Sequence, residues 1–277
     1  MTLPSTARRR LLDFLNDDLG RGDVTSAITP EKICSATIYT KEPCVLAGVE
    51  ESAFLFEHNG VKAKVLKKDG SALNGKTAVL RLHGSNRKIF GVVRTALNLL
   101  GRMSGVATQC VKAKGVVQAV SPRTRVSLTR KTIPGFAFFD KKAAVIAGIN
   151  PHRPDLSAMV LLKDHHLKFF PDAAKAVEAA RRKWGSSKKI EVEVTTAKQA
   201  LDAAKAKPGV IMLDNFTAKE SMRTVALLRK NGFRGEVELS GGINFENLRD
   251  YAKAKPDVIS MGSLTTMARA TDFSFKL

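Results

Sequence analysis

Three groups of residues are of types, and in positions, that could do chemistry. The first is cationic: Arg102 in GRMSGVAT, Arg130 and Lys131 in LTRKTIPG, His152 and Arg153 in NPHRPDLS, and Lys163 in VLLKDHH. Converging Arg and Lys side chains hold carboxylates or phosphates through charge-assisted hydrogen bonds. The plainer account of any one of them is a surface ion pair. Lys163 resists that account, because it directly follows four apolar residues of an interior strand, where a buried ammonium needs an anion to offset its desolvation. The second group is Glu193 and Asp214, carboxylates near the ends of two neighbouring apolar runs. They could merely neutralise Lys163 and Lys131. As hard oxygen ligands they could instead serve Mg²⁺ and sugar hydroxyls, since Mg²⁺ keeps several waters and binds through one or two carboxylates plus substrate phosphates. The third group is Ser240–Gly241–Gly242, which lies between a strand and a helix. A glycine pair there either lets backbone N–H groups approach a phosphate or simply makes a tight turn.

Other chemistries drop out. His165 and His166 are adjacent rather than four apart, which excludes a helical metal pair, and neither spacing suggests zinc. The chain has no Ser-His-Asp order, GxSxG elbow, Walker loop or GxGxxG fingerprint, so nucleotide hydrolysis and hydride transfer are not expected.

These residues need elements to position them. The first hundred residues mix an amphipathic helix (5–18), half-exposed strands (33–40 and 78–83) and an apolar-faced helix (89–100), an α+β pattern. From about Val116 short β-branched runs alternate with Ala/Lys/Glu-rich stretches. The runs are VVQAV (116–120), VSLTR (126–130), MVLLK (159–163), IEVEV (190–194), VIMLD (210–214), VELS (237–240) and VISMG (258–262). Helices are expected at 143–148, 172–183, 197–205, 218–231 and 245–254. Strand and helix repeated this often mean parallel β/α units. Polar residues recur at the carboxyl ends of the runs, and those ends converge on one mouth in a barrel but string out along a line in an open sheet. The expected fold is α/β, an incomplete (β/α) barrel with an N-terminal α+β domain. Residues 1–109, joined by the tail 266–277, form the first domain and 110–265 the barrel.

Composition bounds the rest. The 277 residues are 44% hydrophobic and 26% charged, an ordinary globular mixture. No apolar run approaches the roughly 20 residues that cross a bilayer, and the start of the chain lacks a signal peptide's apolar region. A cytoplasmic protein with no membrane partner is expected. Three cysteines form neither an even framework nor a CxxC pair and are assigned to the core. The net charge of +20 suggests an anionic partner. Its basic residues are scattered and only 6% of residues are aromatic, so base-stacking platforms are scarce and nucleic acid is not the expected partner.

Taken together, LGRGDVTS (19–26), RMSGVAT (102–108), TRKTIPG (129–135), HRPDLS (152–157), LLKDHH (161–166), EVEV (191–194), MLDNF (212–216), ELSGGI (238–243) and DVISMGSLT (257–265) resemble the quinolinate phosphoribosyltransferases, also called nicotinate-nucleotide pyrophosphorylases (carboxylating). The motifs span nearly the whole chain in family order. The resemblance implies transfer of a phosphoribosyl group from phosphoribosyl pyrophosphate to quinolinate, with loss of pyrophosphate and CO₂, giving nicotinate mononucleotide for NAD biosynthesis. It implies that Arg102, Arg130, Lys131, His152, Arg153 and Lys163 hold the pyridine dicarboxylate, with Arg102 reaching the site from the partner subunit of a dimer or of a higher oligomer of dimers. Glu193 and Asp214 would serve Mg²⁺ and the ribose hydroxyls, and Ser240, Gly241, Gly242 and Gly262 the 5′-phosphate; Lys131, Lys163, Glu193 and Asp214 form the implied catalytic set. Two alternatives remain at this point. A pyrophosphorylase-like paralogue associated with molybdate transport shares several motifs, but that branch is expected to lack the lysine found at Lys163. A basic nucleic-acid binder on a decayed barrel would account for the charge.

Overall fold

The computed structural model describes residues 3–277. In chain order the elements are helices α1 (Ser5–Leu19) and α2 (Val24–Ile28), strands β1 (Ile33–Thr40) and β2 (Cys44–Val45), helix α3 (Val49–His58), strands β3 (Lys62–Val65), β4 (Ala72–Leu73) and β5 (Thr77–Ser85), and the long helix α4 (Asn86–Gln118). They continue with β6 (Arg125–Ser127), α5 (Ala137–Ile146), β7 (Val160–Leu162), α6 (Asp164–Leu167), α7 (Ala173–Trp184), β8 (Ile190–Val194), α8 (Ala197–Lys205) and β9 (Val210–Asp214). Last come α9 (Ala218–Lys230), β10 (Glu236–Ser240), α10 (Leu248–Ala252), β11 (Val258–Ser260), α11 (Ser263–Thr266) and β12 (Phe273–Lys276). The chain divides into two compact units: one runs to Val111 and adds Ile133–Gly148 and Met267–Leu277, and the other comprises Lys112–Thr132 and Ile149–Thr266.

In the first unit an antiparallel sheet has the order β12-β1-β5-β3, so the carboxyl-terminal strand pairs with the first one. The segment leading into β12 crosses α4 closely. A Cβ on Gly105 would fall 2.1 Å from the Arg269 carbonyl oxygen, so only glycine fits there.

Two expectations are corrected here. VVQAV is not a strand: α4 runs on to Gln118. Its apolar positions Val106, Cys110, Ala113 and Val117 are all buried, at the three- and four-residue spacing of a helix stripe, and that periodicity outweighs the β preference of adjacent valines. Residues 133–148 belong to the first unit, not to the barrel stretch 110–265, and their helix starts at Ala137, not Ala143. The reason is packing, since Phe136 stacks on Phe14 of α1 and Phe139 packs tilted against it, with ring centroids 5.8 and 5.9 Å away. Lys142 then donates 2.8 Å hydrogen bonds to Glu50 and Glu51 of α3. Of the cysteines, Cys44 and Cys110 are buried and Cys34 is half-exposed.

The second unit is a six-stranded parallel sheet in the order β6-β11-β10-β9-β8-β7. Strands β7 to β11 are laid down in sequence, with α7, α8, α9 and α10 as crossovers. Each long crossover starts at a side-chain cap: Asp172 accepts the Lys175 N–H, Thr196 the Gln199 N–H, and Thr217 forms a capping box with Glu220. All five residues of β8 are buried, as are Val210–Leu213 of β9, which is the signature of strands covered on both faces. β6 and β7 remain unpaired to one another at the two ends, with β6 taking a single bridge from Ser127 to Asn150. The barrel is therefore incomplete.

Candidate active site

Parallel strands end on one edge, so β7, β8 and β9 deliver Lys163, Glu193 and Asp214 to the same side. Leu162 pairs with Val192 in register, which sets the next residue of each strand abreast. Lys163 Nζ donates to Glu193 Oε2 at 2.5 Å; the glutamate is nearly buried and the lysine side chain 38% exposed. Asp214 accepts from Asn215 Nδ2 at 2.6 Å. Burial, and then the neighbouring Glu193, push its carboxyl above the usual range, while Lys163 and Lys131 oppose that rise.

The ends of β10 and β11 supply backbone. Gly241 has φ +89°, and a Cβ on it would lie 2.3 Å from Asn215 Oδ1. Asn215 is itself left-handed at φ +58° and donates its N–H to the Ser240 carbonyl at 2.9 Å. Next to it Gly242, at φ +61°, has no atom within 4 Å of a would-be Cβ, so the chain faces open space there. Its carbonyl accepts from Asn247 Nδ2 at 3.0 Å. The aliphatic stem of Lys131 lies over Gly262, with Cδ 3.0 Å from where a Cβ would be. The Lys131 main chain is held by Thr129 and Thr265 hydroxyls at 3.1 and 2.6 Å.

The cations crowd one another. Arg153 is buried, donates to the Met159 carbonyl at 3.4 Å and leaves its Nε without a hydrogen-bond partner. Burial, then Arg130, lower its pKa. Burial, then His165, Lys163 and Arg153, do the same to His166, whose Nδ1 accepts the Lys163 N–H at 2.9 Å. Guanidinium and ammonium groups in this proximity repel unless an anion lies between them.

Below this edge is a buried layer that the sequence analysis missed. His152 Nε2 stands 3.5 Å from Glu191 Oε2 and 3.7 Å from Glu238 Oε1. Ser260 donates its hydroxyl to Glu238. Burial and the adjacent Glu191 raise the Glu238 carboxyl above its usual range. The signal was present in the strand period. Residues two apart share a face, so Glu191 lies beneath Glu193, Glu238 beneath Ser240 and Ser260 beneath Gly262.

The second unit thus brings together Arg130, Lys131, His152, Arg153, Lys163, Glu193, Asp214, Ser240, Gly241, Gly242 and Gly262. Arg102 belongs to the first unit. There, on α4, its Nε and Nη2 each donate at 2.9 Å to the two carboxylate oxygens of the fully buried Asp140. His165 is exposed and pairs with Asp164 at 3.2 Å. As chemistry, the strand-end edge offers anion-binding cations, paired carboxylates and an open backbone turn, which suits an anionic sugar donor and an acidic acceptor.

Residues 106–276 match the family described as quinolinate phosphoribosyl transferase, C-terminal domain, and residues 23–104 match its N-terminal domain. The chain is similar to a probable nicotinate-nucleotide pyrophosphorylase (carboxylating) of Archaeoglobus fulgidus, at 39% identity over 92% of this chain and 98% of the relative. It is also similar to the human nicotinate-nucleotide pyrophosphorylase (carboxylating), at 33% identity over 100% of this chain and 94% of that one. The solved structure of the Francisella tularensis nicotinate-nucleotide pyrophosphorylase superposes with a TM-score of 0.91 at 30% identity, covering 99% of this chain and 97% of that one.

Proposed function

The chain belongs to the quinolinate phosphoribosyltransferase family, and from that premise we propose how its own residues carry out the transfer. The enzyme is a pentosyltransferase: it joins the pyridine nitrogen of quinolinate to the anomeric carbon of phosphoribosyl pyrophosphate and releases pyrophosphate and CO₂, leaving nicotinate mononucleotide for NAD biosynthesis. The observation that carries this reading is the single edge at which the Lys163–Glu193 pair, Asp214, the Ser240–Gly242 turn and the crowded Arg130 and Arg153 meet.

Arg130, Arg153, Lys131 and Lys163 hold the two ring carboxylates; His152, whose ring nitrogens are engaged by the Arg153 N–H and by Glu191 and Glu238, does not reach them itself. The repulsion between Arg130 and Arg153 is what a carboxylate of the acceptor relieves. The Ser240–Gly241–Gly242 turn and Gly262 receive the 5′-phosphate, and the open side of Gly242 supports that placement. Glu193 and Asp214 face the ribose. As the C1′–oxygen bond to pyrophosphate lengthens, positive charge grows on the sugar, and two carboxylates already in place stabilise it without reorganising. The ring-nitrogen lone pair then forms the new bond to C1′. Loss of CO₂ leaves its electron pair on C2 beside the now cationic nitrogen, and one proton enters there from water or an acid of this edge.

Glu193 and Asp214 also fit Mg²⁺. They are hard oxygen donors at neighbouring strand ends, and the Asp214 carboxyl is raised by burial and then by Glu193, both of which a divalent cation would offset. When bound, the ion would neutralise charge on the pyrophosphate leaving group. The working assembly is a homodimer, or a higher oligomer of dimers, in which Arg102 of the partner subunit completes each acceptor site. Among the described residues no helix is long and apolar enough to cross a membrane. The three cysteines are free, which supports a cytoplasmic location.

The test is paired turnover of 2-carboxyl-labelled quinolinate and of nicotinate with phosphoribosyl pyrophosphate. Labelled CO₂ and pyrophosphate are expected together. Nicotinate leaves cations unpaired, each worth about 1.5–3 kcal/mol, so it is rejected by orders of magnitude. Comparable rates, or nucleotide formed without labelled CO₂, would overturn the reading.

A further inference from the structure

Two glutamates lie where a parallel sheet normally buries Val or Ile: Glu191 in β8 is 1% exposed and Glu238 in β10 is 4% exposed. Taking two carboxylates out of water side by side costs several kcal/mol per ion unless something compensates them. Glu238 accepts the Ser260 hydroxyl, and Glu191 Oε1 has no hydrogen-bond partner. Both face His152 Nε2. The other ring nitrogen of His152 is also committed, since Nδ1 accepts the Arg153 N–H at 2.8 Å. An accepting Nδ1 places the ring proton on Nε2, towards the carboxylates. The His152 N–H in turn donates to Asn150 Oδ1 at 2.9 Å, and its backbone is left-handed at φ +56°. For a residue other than glycine that conformation costs about 1 kcal/mol and persists only where its surroundings over-determine it.

We infer that Glu191 and Glu238 are positioning residues for the acid acceptor: from beneath the edge they clamp the His152 ring, and through it fix the main chain and guanidinium of Arg153. Three things follow from the contacts above. The carboxylates fix the ring's orientation, the ring nitrogen holds the Arg153 N–H, and the Arg153 side chain, buried with Nε unpartnered, is aimed rather than free to search. A guanidinium held in place loses less entropy when it binds a carboxylate. This inference rests on the proposed transferase reading.

The experiment is a double-mutant cycle on turnover, with KM measured separately for quinolinate and for phosphoribosyl pyrophosphate. Glu238→Gln keeps the shape and replaces the carboxyl group by an amide. It is expected to raise the KM for quinolinate by about tenfold, while the KM for phosphoribosyl pyrophosphate stays within about twofold. Added to His152→Ala it should cost nothing further, because the carboxylate acts through that ring. Glu191→Gln should behave the same way. Equal rises in both KM values, or losses that multiply in the double variant, would overturn the positioning role. So would a stoichiometric transition metal in the purified protein, which would make the His152–Glu191–Glu238 triad, with ligand atoms within 4.8 Å of one another, a metal site. If Glu238→Gln does not fold, Ser260→Ala, which removes only the hydroxyl on Glu238, goes through the same cycle; an unchanged quinolinate KM there overturns the inference. A wild-type chain inactive on quinolinate defeats the transferase reading itself, whereas an active chain with a multiplicative cycle defeats only the positioning role.

Discussion

Lys163 Nζ and Glu193 Oε2, 2.5 Å apart, make the cation and the carboxylate at neighbouring strand ends neutralise one another. The carboxylate is the buried partner, with a side chain 7% exposed against 38% for the lysine. Removing the lysine therefore strands a buried charge, whereas removing both partners does not. Lys163→Met should cost about 1–2 kcal/mol of stability, discounted for the lysine's exposure. Lys163→Met/Glu193→Gln should recover most of it, although both variants are inactive. Urea denaturation checks this, and a double variant less stable than Lys163→Met would contradict the pairing.

Asp214 is expected to separate the two substrates. It lies beside Glu193, its carboxyl held above the usual range by burial and then by that neighbour, and the proposed function puts it with the donor's ribose and metal rather than with the anionic acceptor. Asp214→Asn is expected to weaken use of phosphoribosyl pyrophosphate and Mg²⁺ by about tenfold or more, a loss of one charge-assisted contact. Quinolinate binding, followed by fluorescence or calorimetry, should change little. Equal loss for both ligands would remove Asp214 from this role.

Gly241 and Gly242 are adjacent but not equivalent. An alanine at 241 meets Asn215 N at 2.5 Å as well as its side-chain oxygen, at φ +89°, while one at 242 meets nothing. Gly242→Ala should cost only the left-handed strain, about 1 kcal/mol. Gly241→Ala adds a backbone clash and should cost more, roughly 2–3 kcal/mol. Thermal unfolding of the two variants gives the order, and a Gly242→Ala variant that is the less stable one would refute it.

What could be read in the sequence was local. IEVEV and VIMLD are the strands β8 and β9 residue for residue, and α8 matches 197–205 because Thr196 caps it and its alanines repeat on one face. The strand-end candidates stood out for a related reason: Lys163 follows and Asp214 closes an apolar run, and Glu193 lies one residue before the end of its own, whereas Arg130 and Lys131 fall in the loop after β6. What escaped was decided by distant partners. The pairing of β12 with β1 joins residues more than two hundred positions apart. Residues 133–148 go with the first unit because Phe14 awaits Phe136 and Phe139. The valines at 116 and 117 look like a strand until they are seen as the end of a stripe begun far upstream. Glu191 was visible within IEVEV, yet its role depends on His152, which comes from a loop outside the sheet.

Asp69 gives the first unit a pH dependence of its own. Burial raises its carboxyl from 3.8 to about 6, with Glu51 adding to the rise and the Val49 N–H opposing it. A carboxyl whose folded pKa exceeds its unfolded value binds its proton more tightly in the native state. Its contribution is therefore full below about pH 4 and is lost as pH climbs through 6, in all about 3 kcal/mol. Asp69→Asn keeps the acceptor for the Val49 N–H, at 3.0 Å in the native protein, and cannot ionise. Its stability relative to wild type should rise between pH 5 and pH 8, by about 1.4 kcal/mol in denaturant titrations. A difference that does not vary with pH would show that the Asp69 carboxylate is solvated.

Arg102 and Lys163 lie in different units, and the proposed dimer joins Arg102 of the partner subunit to the Lys163 edge of each site. Arg102 is prepared for such a task by its bidentate hold on the buried Asp140, which fixes the guanidinium plane without adding exposed charge. If sites are shared, Arg102→Ala and Lys163→Ala chains are each inactive alone, but a mixed dimer assembles one site with neither lesion and one with both. Random exchange of equal amounts makes half of the dimers mixed, so about a quarter of wild-type activity should return. Subunit exchange is followed with differently tagged chains. Exchange demonstrated with no recovery of activity would place each Arg102 in the same chain's site or outside the chemistry altogether.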